Sequence, residues 1–171
     1  MKNSIFLKQI FVAVIIMMTI LTAHAQPSEK VENTVNDIVN RYDGKDKVSC
    51  ITATKGNGLE LIKMMFRQQF GKEFMKGVKS ITIIDYSDAS ENTCASLRKD
   101  LDVFLSMLEE FDLSEEKDFS ENKFIRCFAS SVESSTLSDF VVALENDESK
   151  MILYMSGTIK VECTYSQEKL N

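Results

Sequence analysis

LSDFVVALENDESKMILYMSG, residues Leu137–Gly157, consists of two apolar runs on either side of one short polar segment. Leu137–Glu145 and Lys150–Gly157 are rich in β-branched, aliphatic and aromatic residues, which favour strands. Asn146–Ser149 between them contains turn-forming residues, whose side chains bond readily to nearby backbone groups. The pattern therefore predicts an antiparallel hairpin that closes a sheet at the C-terminal end of the domain.

Upstream of this hairpin, helices and strands alternate, judged by the periods of their apolar residues. The predicted helices are Ser28–Tyr42, Leu59–Phe70 and Ser90–Phe111, with one short helical turn near Phe74. The predicted strands are Lys47–Thr54, Lys79–Tyr86 and Lys123–Ser130. This order predicts the α+β class, as a two-layer sandwich in which a mixed sheet of about five strands carries helices on one face.

One helical stripe identifies the residues that we expect to face the sheet. In the second helix the apolar positions at helical spacing are Leu59, Ile62, Met65, Phe66 and Phe70. Gly56–Gly58 precedes this helix and lacks the lysine of a phosphate loop, so it is predicted as a strand-to-helix turn. The acidic stretch Glu109–Glu121 lacks the glycine of a calcium-binding loop and is predicted as a surface loop.

The N-terminal residues have the three parts of a secretory signal peptide. Lys2 and Lys8 form a positively charged start that no acidic residue offsets. Ile10–Leu21 is apolar apart from one threonine, and Ala23 and Ala25 are the small residues that signal peptidase requires. The sequence therefore predicts a signal peptide that is cleaved near Ala25.

This cleavage defines the predicted domain organisation, with residues 1–25 as the signal peptide and residues 26–171 as a single α+β domain. An uncleaved anchor is the alternative, but the apolar run is shorter than the about 20 residues that span a bilayer. A lipoprotein would need a cysteine directly after the signal, and the first cysteine is Cys50. We therefore expect export to the periplasm or the exterior, with no transmembrane helix after cleavage.

Charge and histidine content narrow the expected chemistry. The whole chain has a net charge of −6, and removal of a signal with two lysines and no acidic residue leaves −8. An acidic chain without a basic stripe repels phosphate backbones, so nucleic acid is not an expected partner. The single histidine, His24, lies in the signal, so the mature domain has no imidazole for a catalytic triad or a histidine zinc site. We expect no catalytic, cofactor-binding or metal-binding residues.

Four cysteines, Cys50, Cys94, Cys127 and Cys163, remain after cleavage. An even number in an exported protein allows disulfides in three connectivities. Three of the four lie in predicted strands or on an apolar helix face, where a free cysteine behaves as a small buried hydrophobe. Both interpretations stay open from the sequence. The absence of a CxxC motif argues against a thioredoxin-type redox site, and the wide spacing argues against a zinc site.

A serine–lysine hydrolase is the remaining enzymatic possibility, and its usual motif is S-x-x-K. The motif occurs four times, at Ser96–Lys99, Ser114–Lys117, Ser120–Lys123 and Ser166–Lys169. Three of these lysines have acidic surroundings that keep them charged, and the fourth follows Arg98 on a helix. We therefore expect none of the four pairs to be catalytic.

Four segments carry a resemblance to a known group of proteins: Arg41–Lys45 (RYDGK), Leu61–Phe66 (LIKMMF), Gly77–Ile84 (GVKSITII) and Met155–Ile159 (MSGTI). In this order they resemble small exported α+β domains of unknown function from Gram-negative gut-type bacteria. The resemblance implies an exported location and assigns no catalytic residue. Many members of that group are lipoproteins, and this chain departs from them because it lacks the lipid-bearing cysteine.

Two function classes follow from these observations. The first is an exported non-enzymatic domain, a protein-binding or envelope-associated periplasmic module that uses a sheet face or an edge strand. The alternative is a small hydrolase with a serine–lysine or carboxylate site. A pocket that gathers Ser96, Lys99 or a cysteine with carboxylates would favour the hydrolase, and an exposed apolar face would favour the binding module. The sequence leaves the oligomeric state open.

Overall fold

The structure is a computed structural model, which describes residues 28–111, 125–133 and 136–160. Within these ranges the helices are α1 (Ser28–Tyr42), α2 (Gly56–Phe70), α3 (Lys72–Lys76) and α4 (Glu91–Leu105). The strands are β1 (Ser49–Ala53), β2 (Val78–Asp85), β3 (Glu109–Phe111), β4 (Ile125–Glu133), β5 (Thr136–Glu145) and β6 (Lys150–Lys160). The predicted signal peptide, most of the predicted acidic loop and the C-terminal tail lie outside the described residues.

The six described strands form one antiparallel sheet in the order β1-β2-β6-β5-β4-β3. β5 and β6 are the predicted hairpin, and Glu145 pairs with Lys150 beside the turn. The turn is closed by Asn146, whose Oδ1 accepts hydrogen bonds from the backbone N–H groups of Glu148 (2.9 Å) and Ser149 (2.7 Å). The predicted α+β class and the C-terminal antiparallel hairpin are therefore confirmed.

Two finer predictions about the sheet are wrong, namely its mixed pairing and its single helical layer, and the number of strands differs slightly from the prediction. The described sheet is antiparallel rather than mixed, it has six strands rather than about five, and helices cover both of its faces rather than one. Strand β5 gives the physical reason, because Phe140 and Val142 face one side, Val141 faces the other, and all three are buried. A strand that is apolar on both sides needs cover on both sides, so a two-layer arrangement would leave one side in water.

Two helical layers enclose the sheet and create two separate cores. The α1–α4 face is covered by α1 and α4, and its buried side chains include Val35, Leu97, Phe104, Phe128, Ile152 and Tyr154. The α2–α3 face is covered by α2 and α3, and its buried side chains include Phe70, Phe74, Met75, Ile81, Phe140 and Leu153. On the second face the Phe140 ring packs edge-on against the Phe74 ring, with 5.5 Å between the ring centroids.

Helix α4 ends earlier than the sequence predicts. Apolar spacing predicted helix as far as Phe111, but α4 stops at Leu105 and Glu109–Phe111 forms β3, which pairs with β4. At the end of the helix the Ser106 hydroxyl donates to the carbonyl oxygen of Val103 at 2.7 Å. A serine side chain that bonds to the preceding turn competes with continued helix, so the chain can turn and add an edge strand here.

Helix α2 begins earlier than predicted, at Gly56. The segment Gly56–Gly58, predicted as a separate turn, is therefore the first turn of the helix. Gly56 has a φ of +69°, a conformation that glycine adopts with little strain. The preceding residue, Lys55, provides no side-chain hydrogen bond to the helix, so this start depends on glycine rather than on a polar cap.

Strands β2 and β6 approach each other closely at two glycines. A Cβ atom placed on Gly77 would lie 2.0 Å from the carbonyl oxygen of Thr158, and one placed on Gly157 would lie 2.2 Å from the carbonyl oxygen of Gly77. Gly157 also has a φ of +131°, which side chains rarely permit. The strand register shifts beside this contact, between Val78 and Ser80. The close approach of the two backbones therefore requires glycine at both positions, one directly before β2 and one within β6.

Candidate functional site

The structure does not assemble the serine–lysine site that the sequence raised as an alternative. Ser96 lies on an exposed part of α4, and its hydroxyl donates to the carbonyl oxygen of Asn92 at 3.0 Å. Lys99 is exposed on the same helix, and neither residue lines the cleft described below. The other three serine–lysine pairs lie outside the described residues. Because the Ser96 hydroxyl donates its proton to the helix backbone and not to Lys99, Lys99 does not act as its base in this structure.

The three described cysteines, Cys50, Cys94 and Cys127, are free thiols, and Cys163 lies outside the described residues. No disulfide therefore joins any two of these three. Burial raises the pKa of Cys127 to about 12. Burial, with a smaller contribution from the charge of Asp43, raises the pKa of Cys50 to about 11. Both of these thiols stay protonated at neutral pH, which suits packing rather than nucleophilic attack.

A carboxylate is buried in the β5–β6 hairpin, where the sequence analysis placed no site residue. Asp139 is 0% exposed and lies at a register shift between Ser138 and Phe140, with a φ of +53°. One of its oxygens accepts a hydrogen bond from the Ser130 hydroxyl (2.7 Å), and the other accepts one from the Tyr154 hydroxyl (3.0 Å). Because protein hydroxyls use both oxygens, Asp139 links β4, β5 and β6 instead of facing a substrate.

A cleft of about 260 Å³ lies on the α1–α4 face, between α4 and the ends of the central strands. Its polar lining residues are Tyr86, Arg98, Asp102, Arg126 and Glu145, and we call it the Tyr86 cleft. Tyr86 follows β2 directly and is only 2% exposed. Burial, with a smaller contribution from the charge of Glu145, raises the pKa of Tyr86 well above its ordinary value. The hydroxyl is therefore neutral at physiological pH.

Two ion pairs stand at the edge of this cleft. Arg98 pairs with Glu145, and both nitrogens of the Arg126 fork donate to Glu110 at 2.5 and 2.7 Å. These paired charges largely neutralise each other. Asp102 also lines the cleft, and it forms no ion pair with a residue that the structure describes. The lining therefore has two carboxylates and two guanidinium groups, and Glu110, which pairs with Arg126 beside the cleft, adds a third carboxylate.

Helix α2 carries apolar residues on the side that faces away from the sheet. Leu61, Met64 and Met65 are 57%, 55% and 66% exposed, and their spacing places them together on one helical face. The prediction that Met65 belongs to the buried stripe is wrong. The sheet side is centred on Phe66 and Phe70, and each successive residue turns about 100° around the helix. We call Leu61, Met64 and Met65 the α2 stripe.

The α2 stripe lies in the most basic part of a generally acidic chain. Residues 55–79 contain six lysines or arginines and two glutamates, a net charge of +4. Because the whole chain has a net charge of −6, the remainder carries −10. Among the described residues, Lys55, Lys72 and Lys79 take part in no ion pair. The expectation that the chain has no basic stripe overlooked this local excess.

Neither a metal site nor a membrane span is found in the part of the chain that the structure describes. In these ranges no three histidine, cysteine, aspartate or glutamate side chains are grouped so that they could hold a metal ion. None of the described helices is long and apolar enough to cross a bilayer. Comparison with protein families, curated proteins and solved structures found no match to this chain.

Proposed function

We propose that this chain is an exported, non-enzymatic domain that binds an acidic, amphipathic segment of a partner protein through the α2 stripe. The observation that carries the proposal is that α2 is apolar on two opposite sides and packs on the sheet with only one of them. The alternative hydrolase loses support because Ser96 and Lys99 share no site.

The three side chains of the stripe are a suitable anchor for a partner. Complete burial of a leucine or methionine side chain contributes about 1.5–3 kcal/mol. Leu61, Met64 and Met65 are each more than half exposed, so about half of that contribution is available at each position. Methionine is unbranched and flexible, and it adapts to the shape of the surface that covers it. A few such residues close together provide most of the energy of many interfaces.

The charge around the stripe determines the chemistry of the expected partner. Lys55, Lys72 and Lys79 form no ion pair with described residues, and Arg67 shares Glu60 with Lys63 at long N–O distances of 3.6 Å. Positive charge in the segment that carries an apolar patch attracts a partner that has glutamates or aspartates beside its own apolar residues. An amphipathic helix with an acidic border meets both requirements.

A protein partner fits this surface better than an anionic bilayer does. Helices that lie on membranes usually place tryptophan or phenylalanine at the interface, whereas the stripe consists of one leucine and two methionines. Anionic headgroups would also repel the net charge of −10 that the remainder of the chain carries. We therefore take the bilayer as an outcome that the experiment must separate from the proposal.

The docking proposal is tested with a synthetic amphipathic peptide that has leucines along one helical face and glutamates along its borders. We expect the peptide to bind the wild-type chain in a fluorescence anisotropy titration. Met65→Glu places a charge in the centre of the stripe and should weaken binding about tenfold, because a charged side chain resists burial. Val103→Glu is the matched control, since Val103 is similarly exposed (57%) on α4 in the opposite layer.

Three outcomes would overturn this proposal. The first is equal binding by the Met65→Glu and Val103→Glu variants. The second is equal binding of a peptide in which lysines replace the glutamates. The third is binding to vesicles of anionic phospholipid without binding to the acidic peptide, which would assign the stripe to a membrane surface. Sedimentation equilibrium of the chain alone tests a second copy as the occupant, since dimerisation that Met65→Glu abolishes would also contradict a separate partner.

Export is tested separately, by expressing the full chain in a bacterial host and sequencing the N-terminus of the product. We expect a chain that begins at Gln26 in the periplasmic or culture fraction, because the small residues before it form the predicted cleavage site. Ala25→Arg is expected to block cleavage, whereas the conservative Ala25→Ser change should permit it. A product that begins at Met1 in the cytoplasmic fraction would contradict export.

A further inference from the structure

We propose that the Tyr86 cleft binds a small primary amine that also carries a hydroxyl or carbonyl oxygen. This site is on the α1–α4 face, on the opposite side of the sheet from α2, and it is independent of the docking proposal. Three features carry the inference. They are a buried hydroxyl without a partner among the described residues, an exposed carboxylate that forms no ion pair with them, and apolar side chains that line the same cleft.

The first of these three features is the Tyr86 hydroxyl. The Tyr86 residue is 98% buried, yet its hydroxyl makes no hydrogen bond with the residues that the structure describes. The only fully enclosed side-chain oxygen without a partner in these ranges is Oε2 of Glu109. The Tyr86 hydroxyl therefore opens into the cleft that it lines. A neutral hydroxyl offers one donor and one acceptor to whatever occupies that space.

The charges in and beside the lining favour a cation, because Glu110 adds a third carboxylate to the two that face two guanidinium groups. Arg98 is neutralised by Glu145, and Arg126 is held by both oxygens of Glu110. Asp102 is the carboxylate left without an ion pair among the described residues; it is exposed on α4, and its charge helps to raise the pKa of Arg126. An ammonium group beside Asp102 would complete the charge balance, whereas an anionic ligand would have to displace a glutamate from one of the arginines.

The apolar side chains of the cleft indicate the chemistry of the middle part of the ligand. Leu101, Ala143 and Ile152 line the cleft together with the polar groups. An occupant with a short aliphatic or ring body can cover these side chains while its two ends reach Asp102 and Tyr86. The volume of about 260 Å³ is slightly below the usual range for drug-sized ligands, so the site fits a small molecule rather than a peptide chain.

The test compares three probes that differ only in one terminal group: aminohexanol, hexanediol and hydroxyhexanoate. Each is titrated into the isotope-labelled chain while the backbone amide signals of Ala143 and Ile152 are followed by NMR. We expect saturable shifts of these signals with the amine and none with the neutral or anionic probe. Asp102→Asn should weaken amine binding about fivefold, and Tyr86→Phe should weaken it about threefold.

Asp37→Asn on the exposed surface of α1 is the matched control, and it should leave amine binding unchanged. Asp102 is exposed, so the Asp102→Asn variant remains informative even if Tyr86→Phe fails to fold. Equal binding of hexanediol and aminohexanol would overturn the proposal, because the charge would then be irrelevant. Unchanged binding by Asp102→Asn would overturn it, and so would the absence of saturable shifts at the cleft.

Discussion

Asp139→Ala is expected to lower the free energy of unfolding by about 2–4 kcal/mol. The change leaves the buried Tyr154 hydroxyl without its acceptor, which costs about 1–3 kcal/mol, whereas the Ser130 hydroxyl still has the carbonyl oxygen of Ser138 at 2.7 Å. It also places alanine at a φ of +53°, which adds about 1 kcal/mol of backbone strain. The measurement is urea denaturation followed by circular dichroism, with the unfolding midpoint and slope compared with those of the wild-type chain.

Asp139→Asn is the conservative control for this result. Asparagine tolerates the same backbone conformation, and its side-chain oxygen still accepts one of the two hydrogen bonds. We expect the free energy of unfolding to fall by only about 1–2 kcal/mol, because one hydrogen bond of the carboxylate is weakened while the other is kept. Equal stabilities for the alanine and asparagine variants would show that these hydroxyl contacts do not hold the three strands together.

Gly77→Ala is expected to lower the free energy of unfolding by about 3 kcal/mol, because the added methyl group would clash with the neighbouring strand. The new methyl group would lie 2.0 Å from the carbonyl oxygen of Thr158, a backbone atom that cannot move without breaking the pairing of β2 and β6. Thermal and urea unfolding of the variant measure the effect. Hydrogen exchange should also show faster exchange at Ser80 and Ser156, whose hydroxyls form a buried hydrogen bond of 2.6 Å beside the glycines.

Gly58→Ala provides the matched control for the glycine prediction. A Cβ atom at Gly58 meets nothing within 4 Å, and Gly58 lies in helix α2 without a positive φ. Alanine should therefore stabilise the chain by about 0.5–1 kcal/mol, because it favours the helix and restricts the unfolded chain. If Gly77→Ala were as stable as Gly58→Ala, the close contact between the strands would not matter for folding.

Local patterns in the sequence predicted the elements better than their arrangement. Asn146–Ser149 is recognisable as a turn because its side-chain chemistry is local, and the structure confirms the hairpin. The layering was not accessible in the same way. Phe140, Val141 and Val142 form an apolar run, which indicates that both sides of β5 are buried. The prediction of a single helical layer covered only one of these sides.

The candidate sites depended even more on tertiary contacts. Met65 satisfies the same spacing rule as Phe66, and only the packing of α2 on the sheet shows which of them is covered. The Tyr86 cleft joins residues from α4, β4 and β5 that are far apart in the sequence. Asp139 had a local signal, since it is a charged residue within an apolar run, but its partners Ser130 and Tyr154 lie on two other strands.

The position of β6 has a consequence for how the domain assembles. β6 is the last described strand in the chain, yet it lies between β2 and β5 and is the only strand that joins the two halves of the sheet. Until β6 has been synthesised, β2 and β5 each have one edge whose backbone N–H and C=O groups lack a strand partner. Completion of the sheet must therefore wait for the non-local pairing of β2 with β6. The two halves of the sheet are therefore joined only after nearly all of the described residues have been synthesised.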